Sequence, residues 1–249
     1  PKHPFAWKVL GAILKQKGKI SESLIACQKS VKLDPQDAKA HNNLAIILLL
    51  QSRLEEAETS LRQAIKLKPD LAEAHNNLGI IFQKHRKFTE ACSAYIQAIN
   101  FNPDFTDAYE NLGMVIKKVR FNSSNVELYP LLIRLLSIGN FVRPRDLASS
   151  ILSLLKHDPL IKNLLLEKNF ATNLKEANSI IGSLDKLKLL HHLMRVCPLP
   201  DLQFERFFVT MRNLLLKNLD NIEASPEFIY FLSTLSLHCF TNEYVYFEK

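Results

Sequence analysis

The chain has 249 residues, 47% of them apolar, which is enough for one large or two ordinary domains with a buried core. Only 6 residues are Gly, and β-branched runs bounded by turn signals are missing, which excludes an all-β protein, while no run of 18 apolar residues suggests a membrane span. The net charge of +7 is uneven: residues 1–121 hold 18 Lys/Arg against 12 Asp/Glu, and residues 122–249 hold 14 against 13.

In chain order the first helices repeat. "AHNNLAIIL" at 40–48 returns as "AHNNLGIIF" at 74–82 and, blurred, as "AYENLGMVI" at 108–116. Pro35, Pro69 and Pro103 keep the same 34-residue step, as do Leu10-Gly11, Leu44-Ala45, Leu78-Gly79 and Leu112-Gly113. Ser23, Ala57 and Ala91 are in phase, and so are Ser30, Ala64 and Ala98, with Cys27, Leu61 and Tyr95 between them. Small residues let the two helices of a hairpin approach closely, large ones fill the space between, and proline ends each unit. One hairpin cannot bury its own apolar face, so neighbours must stack. This pattern resembles the tetratricopeptide repeat, with three full repeats over 4–105 and a fourth first helix over about 106–118.

With Leu44 and Leu48 pointing into the hairpin, the face carrying Lys39, Asn42, Asn43, Ile46 and Leu50 points elsewhere. In the tetratricopeptide fold that face lines a concave groove. Its equivalents are Lys8, Val9, Ala12 and Lys15, then Asn76, Asn77, Ile80 and Lys84, then Glu110, Asn111, Met114, Lys117 and Lys118. Asn43, Asn77 and Asn111 form a ladder that Val9 breaks in the first repeat. An amide both donates and accepts, so the ladder can grip the main chain of an extended peptide. Alternatively, these amides cap turns or bond between adjacent repeats. The lysines Lys8, Lys15, Lys84, Lys117 and Lys118 favour an acidic partner. "HNNLG" resembles the repeats of O-linked N-acetylglucosamine transferases, where such a ladder holds extended segments. His41 and His75 recur in phase and read as packing residues, not catalytic ones.

After Phe121 the phase is lost, and "NSSN" at 122–125 reads as a linker. About six amphipathic helices follow, with a stop at Gly139 and starts at Asp158-Pro159, Asn173 with Glu176, Asp201 and Ser225-Pro226. The expected organisation is an all-α chain: a repeat solenoid over 1–121 and a second helical domain over 122–249 that caps or extends it. His191 and His192 are adjacent and point about 100° apart, so they do not share a metal easily. No phosphate-binding, nucleophile-elbow or zinc-protease motif occurs. Cys27, Cys92, Cys197 and Cys239 stand far apart, as buried thiols of a reducing cytoplasm do. Nothing resembles a nucleic-acid motif.

"LYPLLIRLLSIGNFVRPRDLASSILSLLKHDPLIKNLLLEKN", with "SLDKLKLLHHLMRVCPLPDLQFERFF" and "LSLHCFTNEYVYF", resembles the middle of bacterial proteins that join such repeats to a class I S-adenosylmethionine-dependent methyltransferase domain. The start at Pro1 without Met reads as that of an excised or truncated segment, and the resemblance implies catalysis and S-adenosylmethionine confined to a domain after Lys249. The expected function is then a cytoplasmic scaffold that binds a protein or peptide. The rivals are the repeat region of a glycosyltransferase and a free-standing assembly adaptor.

Overall fold

The computed structural model describes residues 3–138, 142–166, 174–218 and 225–247. All regular structure among them is helical, and the chain divides into two compact units, residues 1–115 and 116–249.

The first unit is a run of antiparallel hairpins: α1 (Pro4–Gln16) with α2 (Ile20–Leu33), α3 (Ala38–Leu50) with α4 (Leu54–Leu67), and α5 (Ala72–Lys84) with α6 (Phe88–Phe101), followed by α7 (Thr106–Ile116). Each hairpin closes tightly because the residue at the crossing is glycine or alanine. A Cβ on Gly11 would lie 2.7 Å from Cys27 Sγ, and one on Gly79 would lie 2.5 Å from the ring of the fully buried Tyr95. Ala45, Ala57, Ala64, Ala91 and Ala98 serve the same close approach and are fully buried. Where the first repeat has serines instead, the Ser23 hydroxyl donates to the Gly11 carbonyl and the Ser30 hydroxyl to the Pro4 carbonyl. A buried hydroxyl is tolerated because it finds an acceptor.

Both turn types recur with the repeat. Within each hairpin the chain reverses through a left-handed residue: Gly18 (φ 72°), Ser52 (φ 60°) and Arg86 (φ 58°). The next amide then reaches back to the helix, Lys19 to the Leu14 carbonyl, Arg53 to Leu48 and Lys87 to Phe82. This is the Schellman closure, and only the first repeat uses the glycine that adopts it without steric cost. Between hairpins, Asp34, Lys68 and Asn102 stand before the prolines with φ near −140° (−139°, −141° and −138°). A proline ring forbids helix in the residue before it, which ends α2, α4 and α6 on schedule.

The second unit opens with a 3-10 turn (Val126–Leu128) and continues through α8 (Tyr129–Ile138), α9 (Pro144–Leu155), α10 (Pro159–Leu166), α11 (Leu174–Leu184), α12 (Lys188–Val196), α13 (Leu202–Lys217) and α14 (Pro226–Phe247). α12 packs against α8, α9 and α14, so its Leu189, Leu190, Leu193 and Met194 are all buried. Asp158, Asp201 and Ser225 cap their helices through the side chain, as the sequence indicates. Gly139 and Asn173 lie outside the described residues. Among the described residues seven α-helices, rather than about six, occupy this unit. α9 and α12 start at Arg143 and Leu187 with no side-chain cap, so neither start carries the residue by which a helix beginning is recognised. Among the described residues no helix is long and apolar enough to cross a membrane, and no three His, Cys, Asp or Glu converge on a metal site.

Candidate functional site

The first unit contains a groove of about 560 Å³ on one side of α1, α3, α5 and α7. Lys8, Val9 and Ala12 enter it from α1, and Lys39, Asn42, Asn43 and Ile46 from α3. Glu73, Asn76 and Asn77 enter from α5, and Asp107 from α7, with Leu71 and Phe105 just ahead of those two helices. The face assigned from the repeat phase therefore does line a cavity. Of the residues singled out by sequence, Lys8, Asn42, Asn43, Asn76 and Asn77 meet there. Lys15, Lys84, Lys117, Lys118 and Asn111 are not among the lining residues.

The amides are not equivalent. Asn77 donates its Nδ2 to Asn42 Oδ1 at 2.9 Å, and Asn111 donates to Asn76 Oδ1 at 3.0 Å. Both bonds cross from one repeat to the next, so part of the ladder is spent inside the stack. The acceptors are deep, Asn42 at 7% and Asn76 at 5% exposure, and a carbonyl so buried requires such a partner. Their own Nδ2 groups have no hydrogen-bond partner among the described residues, and both side chains border the groove.

Asn43 occupies the donor position of the first repeat junction, but the residue one repeat before Asn42 is Lys8, which offers no acceptor. Lys8 turns to Asp37 instead, with Nζ 2.5 Å from Oδ2. Burial alone would raise the Asp37 carboxyl, but the Lys8 ammonium and the backbone N–H groups of Ala40 and Lys39 hold it below its ordinary range. The charge of Lys8 is thus engaged within the protein. The Asn43 amide makes no hydrogen bond among the described residues and is half-buried at the groove wall, with its full donor and acceptor capacity available.

Leu71, Glu73, Phe105 and Asp107 were not found from the motif. The period could have found them: Lys39, Glu73 and Asp107 are one position in three repeats, and Asp37, Leu71 and Phe105 are another. Their chemistry changes from repeat to repeat, so they lack the repetition by which the asparagines are noticed.

The histidines are structural. His41 Nε2 donates to the Pro35 carbonyl at 3.0 Å, and His75 Nε2 to the Pro69 carbonyl at 2.8 Å, each tying its helix to the preceding proline turn. In the second unit the buried His191 lies between Thr234 Oγ1 and the Leu184 carbonyl, whereas the half-buried His192 meets the Ser137 hydroxyl. Burial lowers the pKa of both. Cys27, Cys92 and Cys197 are buried and free, and burial raises the pKa of each, so their thiols stay protonated. The Cys239 side chain lies outside the described residues.

Family models for the tetratricopeptide repeat match residues 6–37 and 72–105, 26–59, and, as "TPR repeat", 47–85. Residues 6–105 therefore carry tetratricopeptide repeats. No curated protein matches the chain. Among solved structures, the first such domain of Spaghetti (RPAP3), bound to the HSP90 peptide SRMEEVD, is 20% identical, with 46% of this chain and 91% of that one covered and a TM-score of 0.45. The Arabidopsis OM64 domain is 16% identical over 47% of this chain and 96% of its own, with a TM-score of 0.46. A Thermobaculum terrenum O-GlcNAc transferase mutant is 19% identical over 54% of this chain and 26% of its own, with a TM-score of 0.47.

Proposed function

We propose that the repeat unit holds an extended segment of another protein by its main chain, and that the chain works as a protein-binding scaffold. One observation carries the reading: the groove presents the unpartnered amide of Asn43 and the free Nδ2 groups of the nearly buried Asn42 and Asn76 at successive repeats. Donors held in place by the stack lose little entropy when a peptide carbonyl arrives, so each bond contributes about 0.5–1.5 kcal/mol. Asn42 and Asn76 face an open cavity, so water satisfies these groups until a main chain replaces it.

The experiment is a selection from a random library of 12-residue peptides, followed by fluorescence anisotropy of the recovered peptides on the native protein and on Asn43→Ala. The expected result is a loss of roughly three- to tenfold in affinity, with the melting temperature held or slightly raised by the better helix former. Peptides that bind equally well to Asn43→Ala would place the ligand elsewhere and sink the reading.

The resemblance read from the sequence of the whole chain, to repeat proteins linked to a methyltransferase, motivates a further step, in which this scaffold recruits the partner for an S-adenosylmethionine-dependent domain. The codons after that for Lys249 test it. A strand followed by a glycine-rich turn and an acidic residue at the end of the next strand is the expected finding. A sugar-nucleotide-binding domain would favour the glycosyltransferase reading, and neither domain the adaptor reading.

A further inference from the structure

The groove is charged in opposite senses along its length. Lys39, Glu73 and Asp107 occupy one repeat position on α3, α5 and α7, all three line the cavity, and none is ion-paired among the described residues. Lys8 belongs to the same end as Lys39, but Asp37 neutralises it. The α1/α3 end therefore presents one uncompensated ammonium, and the α5/α7 end two carboxylates.

The walls change in step. Asp37, which caps α3 and pairs with Lys8, is replaced one repeat later by Leu71 and two repeats later by Phe105, and both of these line the groove. At the α5/α7 end an aromatic side chain thus lines the same cavity as two carboxylates with no ion-pair partner among the described residues, and the 5%-exposed Asn76, whose Nδ2 has no partner among them, lines it too. A carboxylate next to an aromatic face suits guanidinium, which forms paired N–H bonds while its plane stacks on the ring. A helix N-terminus accounts for a single acid in the first turn. It does not account for the reversal of sign at one repeat position along a single cavity.

We infer that the groove takes a bipolar segment: an acidic side chain opposite Lys39 and a basic one, arginine by preference, opposite Glu73 and Asp107. This rests on the reading of the groove as a peptide site and sets the direction in which the peptide lies. The five lysines of the sequence pattern point to an acidic or carboxylate-bearing partner. Only Lys8 among them reaches the groove, and its charge is already engaged.

Four fluorescein-labelled peptides of equal length test it by anisotropy on the 249-residue protein. All share one Ala/Ser backbone: the first carries Asp near its N-terminus and Arg near its C-terminus, the second has the reverse order, the third carries Asp at both places, and the fourth Arg at both. One bipolar peptide is expected to bind about tenfold more tightly than the other three at low salt. The double variant Glu73→Lys with Asp107→Lys should move the preference to the all-Asp peptide, with a drop of a few degrees in melting temperature because each lysine replaces an acid in a helix first turn. Binding of all four peptides within twofold, or best binding of the all-Asp peptide to the native protein, overturns the charge order and leaves the peptide site standing. Failure of all four to bind, when library-selected peptides also fail, overturns both.

Discussion

The two units bury their polar groups in different ways. In the repeats the same partner recurs by translation: Asn77 to Asn42 and Asn111 to Asn76, His41 to Pro35 and His75 to Pro69. In the second unit each buried polar contact is unique. The Tyr129 hydroxyl donates to the buried Asp158 carboxylate at 2.7 Å, and His191 reaches Thr234 across 43 residues of sequence. Asp158 also caps α10, so a single carboxylate joins two helices there. A translated contact is one of several equivalent ones, so losing one leaves the others in place. A unique contact has no substitute, so the second unit depends on each pair separately.

The largest contrast should come from two glycines. Gly79→Val drives a side chain into the Tyr95 ring and is expected to cost about 3 kcal/mol. Gly182→Ala on α11 meets nothing within 4 Å and should stabilise its helix by about 1 kcal/mol. Urea unfolding of both variants measures the pair. Equal effects would show that close helix approach is not what distinguishes the repeat hairpins.

Acid should separate the units next. Burial drives the pKa of His238 down from 6.5 to about 4, against the pull of Glu205, and burial lowers His191 as well. Both rings are held neutral in the folded state, whereas the unfolded chain takes up the protons near 6.5. The stability they contribute is complete above that value and is lost as pH falls toward about 4, by about 3 kcal/mol for His238. Trp7, the one tryptophan, lies in the first unit, so its fluorescence follows the repeats while far-UV circular dichroism follows the whole chain. Circular dichroism should fall before the tryptophan signal does. Coincident transitions would mean that the units do not respond to acid separately.

The smallest effect divides the ladder itself. Asn77→Ala leaves the Asn42 carbonyl without its donor, and Asn43→Ala breaks no bond among the described residues. Both changes bring the same gain in helix propensity, so the difference between them isolates the inter-repeat bond at about 1–2 kcal/mol. Thermal melts of the two variants measure it. Identical melting temperatures would show that water replaces the lost partner at the groove wall.

The sequence alone determined the hairpin stack, its 34-residue step, the small residues at the crossings and the face that carries the asparagines. These are legible because each repeat meets the same surroundings, so a requirement repeated in space is repeated in the chain. It also indicated the capped helix starts at Asp158, Asp201 and Ser225, which are local in sequence. Only the tertiary structure decided which amides are spent and which are free, because that depends on what the preceding repeat offers: Asn42 accepts, and Lys8 cannot. The same holds for the capture of Lys8 by Asp37 and for the pairing of Tyr129 with Asp158. Each joins residues 29 apart, and such a pairing is fixed by how helices pack, which no local pattern records.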